Sequence, residues 1–168
     1  TPFRLATIGE SSVGKTSIIR IISGDRFDSL ETATVGVDFS QISKVYDKEK
    51  VNLEIWDTAG QERFRSLVPI YCRNVNAALA VFDVTSEKSF NSLEGWITLF
   101  QSIGDTKRII FIVGNKIDLE PEVDIDKARE WADKNNLPFF LCSAKTGEGI
   151  IVLMESVIKK LIEAFPQS

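Results

Sequence analysis

Short apolar segments alternate with segments of helical period along almost the whole of this 168-residue chain. Apolar runs bounded by polar turns are typical of strands, whereas apolar residues that recur every three or four positions are typical of helices. The predicted strands cover residues 3–8, 37–46, 51–56, 77–82, 109–113 and 138–142. The predicted helices cover residues 15–23, 86–102, 124–135 and 150–165. This alternation favours right-handed βαβ units and a mostly parallel sheet with helices on both faces.

One pair of strands departs from the alternation. The strands 37–46 and 51–56 are joined only by the polar residues 47–50, which predicts a β-hairpin. We therefore expect an α/β fold with a six-stranded, mostly parallel sheet and one antiparallel edge strand. A further helix could follow Gly60. The chain has the length of a typical single domain and contains no repeat or linker. We therefore expect a single domain over residues 1–168.

The residue counts exclude several kinds of chemistry. The chain has no histidine and only two cysteines, Cys72 and Cys142, which excludes histidine-based catalysis and histidine- or cysteine-rich metal sites. The net charge of −4 offers no basic field for a nucleic acid. No apolar run approaches the roughly 20 residues of a membrane span. The remaining carboxylate, lysine, threonine, glutamine and backbone groups suit magnesium-dependent phosphoryl transfer.

The segment Gly9 to Thr16 has the pattern G-x-x-x-x-G-K-T and lies between a predicted strand and a predicted helix. Such a loop turns successive N–H groups towards phosphate oxygens, while Lys15 adds a positive charge and the helix N-terminus adds its dipole. The hydroxyl of Thr16 could bind Mg²⁺. A glycine turn followed by a chance Lys-Thr pair is the alternative. The predicted phosphate-binding residues are Ser12, Val13, Gly14, Lys15, Thr16 and Ser17.

A second motif, Asp57-Thr58-Ala59-Gly60-Gln61, follows the apolar strand 51–56. A carboxylate at Asp57 could hold Mg²⁺ through a water molecule, because that ion rarely gives up its whole hydration shell. The N–H of Gly60 could approach a terminal phosphate, and Gln61 could orient an attacking water. Asp57 alone would be weak support, since aspartate often caps the end of a strand.

Two further motifs follow the last two predicted strands. Guanine presents two adjacent donors, N1–H and the N2 amino group, and the carboxylate of Asp118 could accept both, while the stem of Lys116 could lie along the base. In isolation, Asn115 to Asp118 could equally be a solvated turn. Ser143-Ala144-Lys145 carries little information by itself. All four motifs, however, follow strand carboxyl ends, which share the edge of an open α/β sheet where ligands bind.

With these motifs in place, the chain resembles the Ras superfamily of small GTPases, and within it the Rab branch. The resemblance covers essentially the whole chain and is carried most specifically by residues 9–17, 34–39 and 56–64. It implies the P-loop GTPase fold, GTP and GDP as substrate and product, and Mg²⁺ as cofactor. It also implies that Gln61, Lys15 and Gly60 are catalytic and that Thr16, Thr34 and Asp57 bind the metal.

The same resemblance implies further roles for single residues. Phe27 would cover the guanine edge-on, Asn115 would brace the base loop, and the Ala144 amide would contact guanine O6, with Ser143 and Lys145 beside it. Phe39, Trp56 and Tyr71 match an aromatic triad that contacts effector proteins. Trp56 also shares a strand face with Asn52 and Glu54, which suggests a partner surface. Packing beneath a neighbouring loop is the alternative for Trp56.

The resemblance further implies a monomeric GTPase domain that works with effector proteins, an exchange factor and a GTPase-activating protein. The chain ends at Ser168 without the C-terminal cysteines that prenylated relatives carry. We therefore expect a cytoplasmic protein that reaches membranes, with a lean towards Golgi or endosomal ones, only through a prenylated tail beyond this chain. The loop 119–123 departs from this branch in lacking an arginine that is frequent there.

The function expected from the sequence is slow GTP hydrolysis coupled to conformational switching. A nucleotide-dependent binding module that does not hydrolyse GTP is the first alternative, against which Gln61 and the small Ser11 argue. An ATP-dependent P-loop kinase is the second alternative. It is disfavoured by the motif Asn115 to Asp118 and by the lack of an arginine-rich lid segment.

Overall fold

The computed structural model describes residues 2–23, 30–32, 37–57, 74–102 and 108–166, with residues 30–32 and 37–39 described through their backbone. Among these residues, no helix has both the length and the apolar character needed to cross a membrane.

The strands form one sheet in the order β2-β3-β4-β1-β5-β6-β7. They are β1 (Phe3–Ile8), β2 (Leu30–Thr32), β3 (Val37–Tyr46), β4 (Glu49–Asp57), β5 (Ala77–Asp83), β6 (Ile109–Asn115) and β7 (Phe139–Leu141). The β1 strand pairs in parallel with β4 and β5, and the parallel pairing continues through β6 to β7. Because β3 is antiparallel to β4, the predicted mixed sheet is confirmed, with all six predicted strands present.

The structure adds a seventh strand that the sequence pattern did not predict. The three-residue strand β2 pairs antiparallel with the first residues of β3, from Leu30 opposite Phe39 to Thr32 opposite Val37. Over this stretch β3 therefore lies one strand in from the edge of the sheet. Three residues are too few to display the period-two alternation by which strands are recognised in a sequence.

The predicted hairpin between β3 and β4 is confirmed. Tyr46 pairs with Glu49, so only Asp47 and Lys48 form the turn, and their φ angles are 49° and 67°. Two consecutive residues with positive φ are typical of the turn whose twist matches two antiparallel strands.

Five helices cover the sheet in the described part of the chain. They are α1 (Lys15–Ile22), α2 (Glu87–Asn91), α3 (Leu93–Gln101), α4 (Ile125–Lys134) and α5 (Ile150–Ala164). The single helix predicted over residues 86–102 was wrong, because it is divided into α2 and α3 at Ser92. The Ser92 hydroxyl donates to the carbonyl of Ser89, a local side-chain bond of the kind that competes with regular helix.

The core lies in two layers, one on each face of the sheet. One layer packs α1 and α5 against the sheet, and the other packs α3 and α4 against the opposite face. In β5, Leu79 and Val81 belong to the first layer, whereas Ala80 and Phe82 belong to the second. Because β5 is packed on both faces, its carboxyl end is held in place from both sides of the sheet. The candidate site lies at this edge of the sheet.

Candidate functional site

The loop between β1 and α1 depends on two glycines. Gly9 and Gly14 have φ angles of 136° and 99°. A Cβ atom on Gly9 would lie 2.3 Å from the carbonyl oxygen of Val81, and one on Gly14 would lie 2.2 Å from Nδ2 of Asn115. Gly14 also occupies the N-cap of α1 without a side chain to cap it. The loop therefore wraps closely and leaves the positive end of α1 to bind an anion.

Lys15 is enclosed by this loop. Its side-chain ammonium donates to the carbonyl oxygens of Gly9, at 2.8 Å, and Glu10, and the residue is only 2% exposed. The ammonium is therefore held inside the loop, where it would attract the oxygens of an anion.

Thr16 and Asp57 meet where α1 begins and β4 ends. The Thr16 hydroxyl donates to Oδ2 of Asp57 at 2.5 Å, and Asp57 is buried. Within the described ranges, no group of three or more Asp, Glu, Cys and His side chains is placed to hold a metal ion. A hydroxyl with one carboxylate does fit Mg²⁺, which takes few protein ligands and completes its shell with water and phosphate oxygens.

The buried carboxamide of Asn115 connects the phosphate loop to the loop after β7. Its Nδ2 donates to the carbonyl of Val13 at 2.9 Å, and its Oδ1 accepts from the amide of Ala144 at 3.0 Å. The thiol of Cys142 lies 3.7 Å from the same Oδ1. Burial raises the pKa of this thiol to about 12, so that it stays a neutral donor at physiological pH.

Lys116 crosses from the base loop to the phosphate loop. Its ammonium donates to the carbonyl of Ser12 at 2.9 Å and pairs with Oδ2 of Asp83 at 2.8 Å. Burial alone would raise the pKa of Asp83, but hydrogen bonds from Lys116 and Thr85 outweigh it and hold that pKa below its ordinary value. Asp83 was not among the site residues predicted from the sequence. The one sequence feature that could have indicated Asp83 is its position as a polar residue directly after the apolar strand 77–82.

Asp118 is held by the loop that follows β7. The hydroxyl of Ser143 donates to Oδ1 of Asp118 at 2.7 Å and accepts from the amide of Thr146 at 3.1 Å. Gly149 closes the loop with a φ of 80°, where a Cβ would lie 2.3 Å from the carbonyl oxygen of Leu141. The carboxylate is therefore oriented before any ligand arrives.

An open groove of about 360 Å³ lies at the carboxyl edge of the sheet, between the phosphate loop and the loops that follow β6 and β7. The residues lining it are Gly14, Ser17, Asn115, Lys116, Asp118, Leu119, Ala144 and Lys145. All but Leu119 were predicted from the sequence as nucleotide-binding residues. Other predicted site residues lie outside the described residues; they are Phe27, Thr34, Gly60, Gln61 and Tyr71, together with the side chain of Phe39.

Trp56 is only partly exposed. Its indole N–H donates to Oε1 of Glu54 at 3.0 Å, and its ring packs against the core layer that contains α3 and α4. Glu54 is itself buried and lies 3.4 Å from the guanidinium of Arg4. Glu54 lies on the polar face of the strand and is nevertheless buried, because the ion pair and the indole N–H satisfy its carboxylate.

Gly14→Ala is expected to weaken nucleotide binding at least about tenfold, because left-handed backbone costs a non-glycine residue roughly 1–3 kcal/mol and the methyl would overlap Asn115. The affinity for GDP measures this. Gly95→Ala is the matched control, since it lies in α3 with nothing within 4 Å of its added Cβ. That variant should gain about 1 kcal/mol of stability and keep its affinity for GDP. Equal affinities for GDP in all three proteins would contradict the role given to Gly14.

Comparison with known proteins assigns the family. A sequence profile of the Ras family matches residues 4–163. The Ras-related protein Rab-18 of Lymnaea stagnalis is 39% identical over 165 residues, which cover 97% of this chain and 82% of that protein. The Caenorhabditis briggsae protein of the same name is 40% identical, with the same coverage.

The GTP-binding protein YPT52 of Saccharomyces cerevisiae is 35% identical over 192 residues, covering 96% of this chain and 82% of that protein. The matched region contains the phosphate loop, the Thr16–Asp57 pair and the base loops. The chain belongs to the Ras family of small GTPases and, within it, to the Rab-type GTPases.

Proposed function

We propose that this chain is a GTP-hydrolysing switch in vesicular membrane traffic, with the nucleotide lying along the carboxyl edge of the sheet. The observation that carries this proposal is the buried carboxamide of Asn115. It contacts Val13 in the phosphate loop and Ala144 in the loop after β7 at the same time. One ligand with phosphates at one end and a base at the other would span these two loops.

At the phosphate end, the N–H groups of residues 12–17 would surround the phosphates, and the ammonium of Lys15 would exchange loop carbonyls for phosphate oxygens. Thr16 and Thr34 would ligate Mg²⁺ directly, and Asp57 would do so through water. When bound, the metal neutralises charge that develops on the phosphates. The 2.5 Å bond between Thr16 and Asp57 supports this assignment because it already brings two suitable oxygens together.

At the base end, the carboxylate of Asp118 would accept the N1–H and N2 donors of guanine. The stem of Lys116 would lie along one face of the base, and Phe27 would meet it edge-on. The Ala144 amide, between Ser143 and Lys145, would donate to O6. Adenine lacks this donor pattern and would leave the carboxylate unpaired. An unpaired buried polar group disfavours the wrong ligand by about 10⁴-fold relative to the correct one.

For catalysis, Gln61 would orient the attacking water, the Gly60 N–H would contact the terminal phosphate, and Lys15 would stabilise the charge that develops there. Loss of that phosphate would release the segments around Thr34 and Gly60. Intrinsic hydrolysis would be slow, since an arginine supplied by an activating partner contributes about 10³ to 10⁵ in rate. The alternative, a binding module without hydrolysis, would bind the nucleotide through the same contacts. It differs only in that Gln61 would not orient an attacking water.

Phe39, Trp56 and Tyr71 would form the surface that effectors recognise in the GTP state, and an exchange factor would reload the site. Trp56 is suited to an anchoring role because its indole N–H is held by the Glu54 carboxylate while part of the residue stays exposed. Attachment to Golgi or endosomal membranes would use a prenylated tail beyond Ser168.

The direct test is the nucleotide content of the purified protein, followed by the time course of phosphate release from added GTP with and without Mg²⁺. Guanine nucleotide on denaturation, and slow phosphate release that requires Mg²⁺, are the expected results. Adenine nucleotide would instead favour the P-loop kinase. Guanine nucleotide without phosphate release, even with activating protein present, would favour the binding module.

A further inference from the structure

We infer that Asp83 is a positioning residue for guanine nucleotide: it fixes Lys116 across the phosphate loop and thereby slows nucleotide release. The inference rests on the placement of Lys116 beside the base that is proposed above. Asp83 is the last residue of β5 and lies opposite Asn115 in β6, so it sits directly beside the base loop without facing the groove itself.

The two carboxylate oxygens of Asp83 have separate partners. Oδ1 accepts both the amide of Thr85, at 2.8 Å, and the Thr85 hydroxyl, at 2.6 Å. Oδ2 contacts the ammonium of Lys116 at 2.8 Å. The backbone N–H of Asp83 donates to the Ser89 hydroxyl at 2.9 Å, which fixes the residue from the other side. The plane of the carboxylate is therefore set by the turn before α2, and Oδ2 is aimed at Lys116.

Lys116 needs such an anchor. Its backbone has a φ of 71°, which is unfavourable for a residue with a Cβ, and its side chain is about one-third exposed. A long lysine side chain loses much rotamer freedom when it is fixed. Asp83 and the carbonyl of Ser12 together hold the ammonium, so the stem is ordered before a base binds. Ordering a binding group in advance strengthens binding because less entropy is lost when the ligand arrives.

The pair also links three segments of the chain. A single ammonium joins the phosphate loop at Ser12, the end of β5 at Asp83 and the base loop at Lys116. The bond to Asp83 is charge-assisted and partly buried, and charge-assisted bonds are stronger than neutral ones. Loss of the carboxylate should therefore loosen the contact between Lys116 and Ser12, and the nucleotide should leave faster.

The test is a double-mutant cycle on the dissociation rate of a fluorescent GDP analogue, measured with Mg²⁺ on the intact chain. Asp83→Ala is expected to accelerate release about tenfold, as for loss of one charge-assisted hydrogen bond. Lys116→Ala should accelerate release at least as much. The double variant should release no faster than Lys116→Ala, because Asp83 acts only through that lysine. Asp83→Asn, which keeps an acceptor oxygen but loses the charge, should give an intermediate rate.

Asp124→Ala is the matched control. Asp124 accepts from the amide of Lys127 at the start of α4, so this variant also loses an aspartate bond to backbone N–H, but away from the site. Its GDP release should match that of the unsubstituted protein. If Asp83→Ala lowers the unfolding temperature further than Asp124→Ala does, its faster release could come from general destabilisation. The same cycle is then run with Asp83→Asn.

Three outcomes would overturn the inference, and they have different meanings. Release within twofold of normal for the Asp83 variants, with Lys116→Ala clearly faster, would reject the role of Asp83 alone. Independent, multiplying effects of Asp83→Ala and Lys116→Ala would show that Asp83 acts through the fold. Normal release from Lys116→Ala would reject the proposed placement of the guanine as well.

Discussion

Asp118→Asn is expected to change the preferred nucleotide of this protein from GTP to XTP. Xanthine carries an oxygen acceptor where guanine carries the N2 amino donor, and the asparagine amide can donate to that oxygen. The retained Oδ1 can still accept from the Ser143 hydroxyl, now at 2.7 Å, so the loop should keep its shape. Dissociation constants for GTP, XTP and ATP should show the affinity for GTP falling by about 10³-fold or more, as for a buried donor without a partner.

Asp133→Asn provides the control for this exchange. Asp133 lies exposed in α4, and the variant changes the same charge without touching the groove. Its preference for GTP over XTP should equal that of the unsubstituted protein. If Asp118→Asn still binds GTP better than XTP while remaining folded, the account of base recognition is wrong.

The extent to which sequence alone could predict this site depends on how local each interaction is. The phosphate loop was predictable because its glycines, lysine and threonine are consecutive and lie between a strand and a helix. The structure adds why Gly14 is required: its missing Cβ leaves room for Asn115, a residue 101 positions later. A contact over that distance leaves no periodic or local pattern in one sequence.

Asp83 shows the same limit for a single residue. A polar residue after an apolar strand is common, so nothing in its neighbours distinguishes it from an ordinary strand end. Its partner Lys116 becomes adjacent only because β5 and β6 pair in parallel with Asp83 opposite Asn115. Strand order and register are properties of the folded sheet, and they turn two unremarkable strand ends into an ion pair.

The errors in the predicted fold have local causes. The division between α2 and α3 comes from Ser92, whose hydroxyl bonds to the preceding turn, whereas the apolar spacing of residues 93–100 continues the helical period. The buried Glu54 was unexpected because alternation along β4 places it on the side opposite Leu53 and Ile55. That side is covered as well, and Arg4 from the neighbouring strand makes the burial of a carboxylate tolerable.

The second large effect is expected from Gln61→Leu, which should abolish most hydrolysis without weakening nucleotide binding. Leucine is similar in size but can neither donate to nor accept from the attacking water. The variant leaves intact the phosphate loop, the Thr16–Asp57 pair and the bond from Ser143 that orients Asp118. Because catalysis of this kind relies on positioning and electrostatics, loss of one orienting group should slow the stimulated rate by about 10²-fold or more.

Single-turnover phosphate release, with and without a GTPase-activating protein, measures this effect, and the dissociation constants for GTP and GDP measure binding. The constants should stay within a few-fold of normal, because the groups proposed to bind phosphate, metal and base are unchanged. Gln101→Leu, at the exposed end of α3, makes the same substitution away from the groove and should hydrolyse GTP at the normal rate. An unchanged hydrolysis rate in Gln61→Leu would make Gln61 a bystander. The chain would then be better described as a nucleotide-dependent binding module, in which the contacts of Asn115, Lys116 and Asp118 serve retention of GTP alone.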